Sequence, residues 1–204
     1  MLIKMYSQSP SHKHLRRIVD VLEGGGLVVY PTDTVYAIGC SLDKPKALEK
    51  LARLKGADPK RPELSFIFAD LGQVAEYTPP LDKTIFKLLK HHLPGPFTFI
   101  LPANSHVPKL FKGRKKTIGI RIPDCTITLE LVKMLGKPLL TSSIHDEDEV
   151  VDYITDPELI HEKYKDIADV VIDAGFGNNV ASTVVDCTGE EPVILREGIG
   201  KLEA

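Results

Sequence analysis

Leu27-Val-Val-Tyr30 is a short apolar run of the kind that forms a buried strand. Pro31 ends it, because proline has no N–H to give a sheet ladder. Thr32, Asp33, Thr34 and Tyr36 follow at once, placing hydroxyl and carboxylate groups together at the mouth of a strand. Such a cluster can hydrogen-bond a small polar ligand, or it can cap the strand through local Asp and Thr bonds. The rest of the chain repeats this design of a short strand opening onto a polar segment, and that limits the folds it can adopt.

The further strands expected are Leu64–Phe68, Phe97–Leu101, Thr117–Pro123, Pro138–Leu140, Val170–Ile172, Ala181–Asp186 and Pro192–Arg196. Pro138–Leu140 is read as a short strand opening onto Thr141-Ser-Ser143. Helical spacing marks Leu15, Ile18, Val19 and Leu22, with Gly24-Gly-Gly26 as the stop. Further helices are expected from about Pro45 to Lys55, from Leu81 to Leu93, near Thr128–Leu135 and near Pro157–Tyr164. Several strands follow one another with no helix between them. The expected class is therefore α/β of the α+β kind: one mixed parallel and antiparallel open sheet with helices packed on it.

At 204 residues, 43% hydrophobic and 26% charged, the chain fits a single globular domain over 1–204 with a substantial core. A net charge of -2 offers no global attraction to polyanions, so a nucleic-acid contact would need local basic patches. No apolar run approaches the length of a membrane span, and Met1-Leu-Ile-Lys-Met-Tyr6 lacks the features of a signal peptide. Cys40, Cys125 and Cys187 are odd in number and widely spaced, which points to reduced thiols in a cytoplasmic protein. There is no glycine-rich dinucleotide or P-loop fingerprint, so a nucleotide here would need side-chain phosphate donors. The histidines give no convincing metal spacing, and no Ser-His-Asp or Cys-His set can be picked out.

The polar side chains at strand ends and loops are instead hydroxyl-bearing or cationic: Thr32, Thr34, Tyr36, Lys55, Lys60, Arg61, Thr117, Arg121, Thr141, Ser142, Ser143, Ser182 and Arg196. Most such groups cap backbone or cover apolar surface. Arg121 is different, because it interrupts the apolar run Ile118-Gly-Ile-Arg-Ile122, where an unpaired guanidinium would be costly to desolvate. Its anionic partner is either a carboxylate of the protein or one belonging to a ligand. Hydroxyls with Arg and Lys, and no nucleophile, suit electrostatic catalysis of phosphoryl or adenylyl transfer.

Several blocks together resemble the YrdC/YciO family, whose best-defined members are threonylcarbamoyl-AMP synthases. They are Gly25-Gly-Leu-Val-Val-Tyr-Pro-Thr-Asp-Thr-Val-Tyr36, Leu93-Pro-Gly-Pro-Phe-Thr98, Thr117-Ile-Gly-Ile-Arg-Ile-Pro123, Ser182-Thr-Val-Val-Asp186 and Pro192-Val-Ile-Leu-Arg-Glu-Gly198. Their order and spacing run nearly the whole chain, and the set is most similar to the YciO branch. The resemblance implies a concave, positively charged cavity and a reaction in which L-threonine, bicarbonate and ATP, with Mg²⁺, give threonylcarbamoyl-AMP and pyrophosphate for tRNA modification. It implies that Thr32, Thr34, Arg121 and Ser182 bind threonine and its carbamate. Lys55, Arg61, Thr117, Ser143 and Arg196 would contact the nucleotide.

The chain departs from the family pattern at Ala37, where glycine is usual and a methyl group would narrow the cavity. It also departs in Lys55-Gly-Ala-Asp-Pro-Lys-Arg-Pro62, which spreads out a compact Lys-x-Arg-Pro, in the lack of a histidine in Leu64–Phe68, and in Ser143-Ile-His145. The basic residues at 53–61 and 109–116 leave a second expectation open: binding of tRNA or double-stranded RNA, or of a nucleotide without this activity.

Overall fold

A computed structural model of the protein describes residues 1–54, 64–107, 116–144 and 154–203. Among them are the strands β1 (Leu2–Lys4), β2 (Val28–Tyr30), β3 (Ala37–Ser41), β4 (Ser65–Ile67), β5 (Phe97–Pro102), β6 (Thr117–Arg121), β7 (Leu139–Ser143), β8 (Val170–Asp173), β9 (Thr183–Asp186) and β10 (Val193–Arg196). The helices are α1 (His12–Glu23), α2 (Pro45–Leu54), α3 (Leu71–Tyr77), α4 (Lys83–His92), α5 (Thr126–Leu135) and α6 (Pro157–Tyr164).

The strands form one sheet in the order β1-β8-β2-β3-β7-β4-β6-β5-β9-β10. Parallel pairs (β1 with β8, β2 with β8, β4 with β6, β5 with β9) are mixed with antiparallel ones, as the run of strands without intervening helices implies. Three elements were not expected from the sequence: β1, β3 and α3. Thr141-Ser-Ser143, read as a polar segment beyond a short strand, lies inside β7 and pairs with β3 and β4.

Local signals set the helix ends. Ser11 caps α1 by accepting from the His14 N–H. Asp82 caps α4, Asp156 caps α6, and Gly136 closes α5 in the left-handed conformation at φ 71°.

The two faces of the sheet are buried differently. On one face α2, α3, α4 and α6 pack through residues such as Leu48, Leu51, Val74, Leu89 and Ile160 against Phe66, Phe99, Ile120 and Val185. On the other, α1 and α5 bury Leu15, Ile18, Ile127 and Leu131 against Val28, Tyr30, Ala37, Leu139 and Val170. Ala37 is part of that core, so its methyl group fills the space beneath α1 and α5 and does not narrow a cavity. No described helix contributes to this second core over β6, β5 and β9, and the burial pattern there alternates accordingly. Ile118, Ile120 and Val185 are shut in on one side, while Thr117, Gly119, Ile100, Val184 and Asp186 are half-buried on the other. Among the described residues, no helix covers that half of the sheet face.

Candidate functional site

Register places the polar residues on that open face. Thr141 of β7 is paired with Ser65 of β4, and Ser65 with Gly119 of β6. Arg121, two residues on from Gly119, faces the same way, and Gly119 is paired across β6 and β5 with Ile100. The Thr98 and Ser182 hydroxyls are 2.8 Å apart, and Arg196 donates through Nη2 to the Ser182 carbonyl at 2.8 Å. Arg196 lies near enough to Arg121 to weigh against its charge.

A glycine at 119 keeps this floor low. A side chain there would meet Ser65 Oγ at 3.0 Å and Thr98 Cγ2 at 3.3 Å. The hydroxyls of Ser65, Thr117 and Ser143 have no hydrogen-bond partner among the described residues.

The loop after Pro31 closes the other side of the hollow. Thr128, in the first turn of α5, donates to the Pro31 carbonyl at 2.6 Å and ties the loop to that helix. Arg121 Nη2 donates to Asp33 Oδ1 at 3.0 Å and to Thr34 Oγ1 at 2.9 Å. The Asp124 N–H holds Asp33 Oδ2 at 3.0 Å. Arg121 therefore has a protein carboxylate as partner, one of the two kinds the sequence left open.

Nε of the guanidinium is buried without a hydrogen-bond partner. Burial pushes the Asp33 carboxyl above its ordinary range despite the pull of Arg121, and the same burial pulls the Arg121 guanidinium below its usual value. Tyr30 sits behind this pair, fully buried, and donates to Thr141 Oγ1 at 2.6 Å; burial raises its phenol, so it stays a neutral donor.

The expected site residues thus fall into groups. Thr34 and Arg121 are in direct contact. Thr32 adjoins them, but its hydroxyl is used within the loop, 3.1 Å from Thr34 Oγ1 and donating to the Val35 carbonyl at 2.7 Å. Ser182 and Arg196 are joined, and the Thr98 hydroxyl lies against that of Ser182. Thr117 and Ser143 are half-buried on the same sheet face as Arg121 and Thr141.

Tyr36 is not part of the hollow. Its ring lies in the opposite core, and its hydroxyl donates to the Gly175 carbonyl at 2.7 Å and accepts from the Ala174 N–H. Lys55, Lys60 and Arg61, the basic residues 109–115, His145 and the acidic run 146–152 lie outside the described residues. Thr98, Ser65 and Gly119 belong to the site but were not singled out as contacts in the sequence, whereas Asp33 was named with Thr32 and Thr34 as a cluster able to bond a ligand. Thr98 and Gly119 do stand inside blocks that marked the chain, which is the signal that could have found them.

Among the described residues no three His, Cys, Asp or Glu side chains gather as a metal site. None of the described helices is long and apolar enough to cross a membrane. The donors in the hollow are guanidinium and hydroxyl groups, which match carboxylate and phosphate oxygens.

Comparison with known proteins identifies the family and the fold. Residues 20–198 match the profile of the Sua5/YciO/YrdC family, described as "Telomere recombination". YciO of Escherichia coli K12 is 32% identical over 201 residues, covering 98% of this chain and 96% of that protein. Its crystal structure superimposes with a TM-score of 0.92 at 30% identity, over 100% of this chain and 98% of that one. A threonylcarbamoyl-AMP synthase of Nitrosococcus oceani is 32% identical over 129 residues, 63% of this chain and 69% of that protein. The crystal structure of Pyrococcus abyssi Sua5 complexed with L-threonine superimposes with a TM-score of 0.86 at 26% identity, over 97% of this chain and 57% of that one. With a family match over most of its length and relatives above 30% identity along nearly all of it, the chain belongs to the Sua5/YciO/YrdC family.

Proposed function

We propose that the protein forms threonylcarbamoyl-AMP from L-threonine, bicarbonate and ATP, the activated intermediate for threonylcarbamoyl modification of adenosine in tRNA. The observation that carries this reading is Arg121. It is a buried guanidinium held in place by Asp33 and Thr34, with Nε left unpaired beside a hydroxyl-lined floor. The fold around it superimposes on a Sua5 solved with L-threonine.

In this reading Arg121 takes the threonine carboxylate through the donors that Asp33 leaves free, and Thr34 and Ser182 orient the carbamate. The threonine amine adds to bicarbonate, and water leaves to give the carbamate. A carbamate oxygen then attacks the α-phosphorus of ATP, the bond from that phosphorus to the bridging oxygen breaks, and pyrophosphate departs. Arg196, Thr117 and Ser143, with Lys55 and Arg61, neutralise and position the phosphates, so catalysis is positioning and charge stabilisation without a covalent enzyme intermediate. Mg²⁺ enters as part of the substrate, carried on the ATP phosphates. Free thiols at Cys40 and Cys187 suit a cytoplasmic setting.

The test is to incubate the protein with ATP, bicarbonate, Mg²⁺ and L-threonine and to separate the nucleotide products. The expected result is threonylcarbamoyl-AMP and pyrophosphate whose formation requires both threonine and bicarbonate. Bound ATP with no adenylate formed under these conditions would contradict the proposal.

A further inference from the structure

Thr98 is buried in β5 on the sheet face that carries Gly119, and its two branches have different neighbours. The methyl carbon Cγ2 lies 3.3 Å from where a side chain at 119 would begin, so it forms part of the floor. The hydroxyl lies 2.8 Å from that of Ser182. Because χ1 is restricted in a β-branched side chain, the two contacts are set together.

The backbone around Ser182 is pinned on several sides. The Ser182 carbonyl accepts from Nη2 and Nε of Arg196, at 2.8 and 3.3 Å. Ile199 N–H donates to the Ala181 carbonyl and Thr183 N–H to the Pro96 carbonyl, each at 3.0 Å. What remains to be set is the direction of the Ser182 hydroxyl hydrogen. Arg196 Nη2 lies 3.4 Å from Ser182 Oγ, and a guanidinium can only donate. The Thr98 and Ser182 hydroxyls bring a hydrogen each and share one bond, so one hydrogen is left without an acceptor among the described residues. That hydrogen belongs on Ser182, because donation from the guanidinium polarises Ser182 Oγ and makes it the better donor to an anion.

We propose that Thr98 is a positioning residue: by donating to Ser182 Oγ, it leaves Ser182 to act toward the ligand as a donor alone, aimed at a carbamate oxygen. The inference rests on the adenylation reading above and adds to it the residue that sets the polarity of Ser182. A ligand group that offers only hydrogens, such as an ammonium, finds no partner at this point, whereas a carboxylate-like oxygen does.

Thr98→Val keeps the methyl on the floor and deletes the hydroxyl, and Thr98→Ser does the opposite. Both are assayed by steady-state kinetics of threonylcarbamoyl-AMP formation, beside Ser182→Ala and the double variant of Thr98→Val with Ser182→Ala. Thr98→Val should lower kcat about 3- to 10-fold with the KM for ATP unchanged, and Thr98→Ser should lose less than about 2-fold. The double variant should match Ser182→Ala within about 2-fold, since Thr98 acts through Ser182. A larger loss in Thr98→Ser than in Thr98→Val would assign the effect to the methyl and overturn the proposal. Fully multiplicative losses in the double variant would overturn it as well, and either result leaves the adenylation reading standing. If urea unfolding shows that Thr98→Val does not fold, Thr98→Ala is compared with Thr98→Ser, since both lack the methyl and differ in the hydroxyl alone; equal losses in these two overturn the proposal. A wild type that forms no adenylate overturns both.

Discussion

Arg121 Nη2 lies 3.0 Å from Asp33 Oδ1, and neither side chain is more than 9% exposed. A pair so placed gives little net stability while intact, because desolvation of both charges offsets their attraction, but breaking it is costly. Arg121→Met is expected to lower the unfolding free energy by about 3–5 kcal/mol, and adding Asp33→Asn to recover part of that loss by removing the stranded carboxylate. Urea unfolding of the two single variants and the double variant checks this. Simply additive costs would show that the two residues do not act as a pair.

Gly119 sets the depth of the hollow, and the nearest atoms to an added Cβ are the ends of the Ser65 and Thr98 side chains, which can turn away. Gly119→Ala should therefore change the unfolding free energy by less than about 1 kcal/mol. It should weaken nucleotide binding about tenfold or more by raising the floor. Calorimetric titration with ATP, alongside urea unfolding, separates the two effects. Unchanged ATP affinity would mean that the nucleotide does not rest on this strand.

How much of this was legible in the sequence differs from element to element. Arg121 was, because a charge inside an apolar strand must find a partner, yet the partner depends on a contact between positions 33 and 121 that no local pattern encodes. β3 was missed because all five of its residues are buried, which removes the alternation that marks a strand. β1 is three residues long, and α3 buries only Val74 and contains Gly72, so neither carries a usable period. Thr141–Ser143 read as a loop because hydroxyl residues favour turns. They lie in a strand because their backbone pairs with β3 and β4, while the buried Thr141 hydroxyl is satisfied by the Tyr30 phenol.

Tyr36 serves the loop that follows β8. Tyr36→Phe deletes the bond to the Gly175 carbonyl and the acceptor for the Ala174 N–H, and should cost about 1–2 kcal/mol. Hydrogen exchange at the Ala174 amide should speed up markedly while amides in β2 and β8 change far less. Uniform acceleration across the sheet would mean that Tyr36 supports the whole core and not this loop.

Burial raises the Cys40 thiol from an ordinary value of 9.0 to about 12, and burial followed by the Asp186 charge raises Cys187 to about 11. In the unfolded chain both ionise near 9, so between pH 9 and these higher values the unfolded state releases protons that the fold retains. The stability due to these groups is complete below pH 9 and is lost as the pH rises. At pH 10 the loss from Cys40 is about 1 kcal/mol. Urea midpoints at pH 8 and pH 10 should therefore fall further in the wild type than in Cys40→Ala. An identical fall in both would remove Cys40 from the alkaline response.

The account stands on a single ligand position, with a carboxylate on Arg121 and phosphates beside Arg196. A crystal structure with L-threonine and a non-hydrolysable ATP analogue tests it directly. The predicted result is a threonine carboxylate oxygen within about 3 Å of a free Arg121 nitrogen, and the α-phosphate on the open face between Thr117 and Arg196. Ligands bound away from that face, or a hollow that stays empty at saturating concentrations, would contradict it.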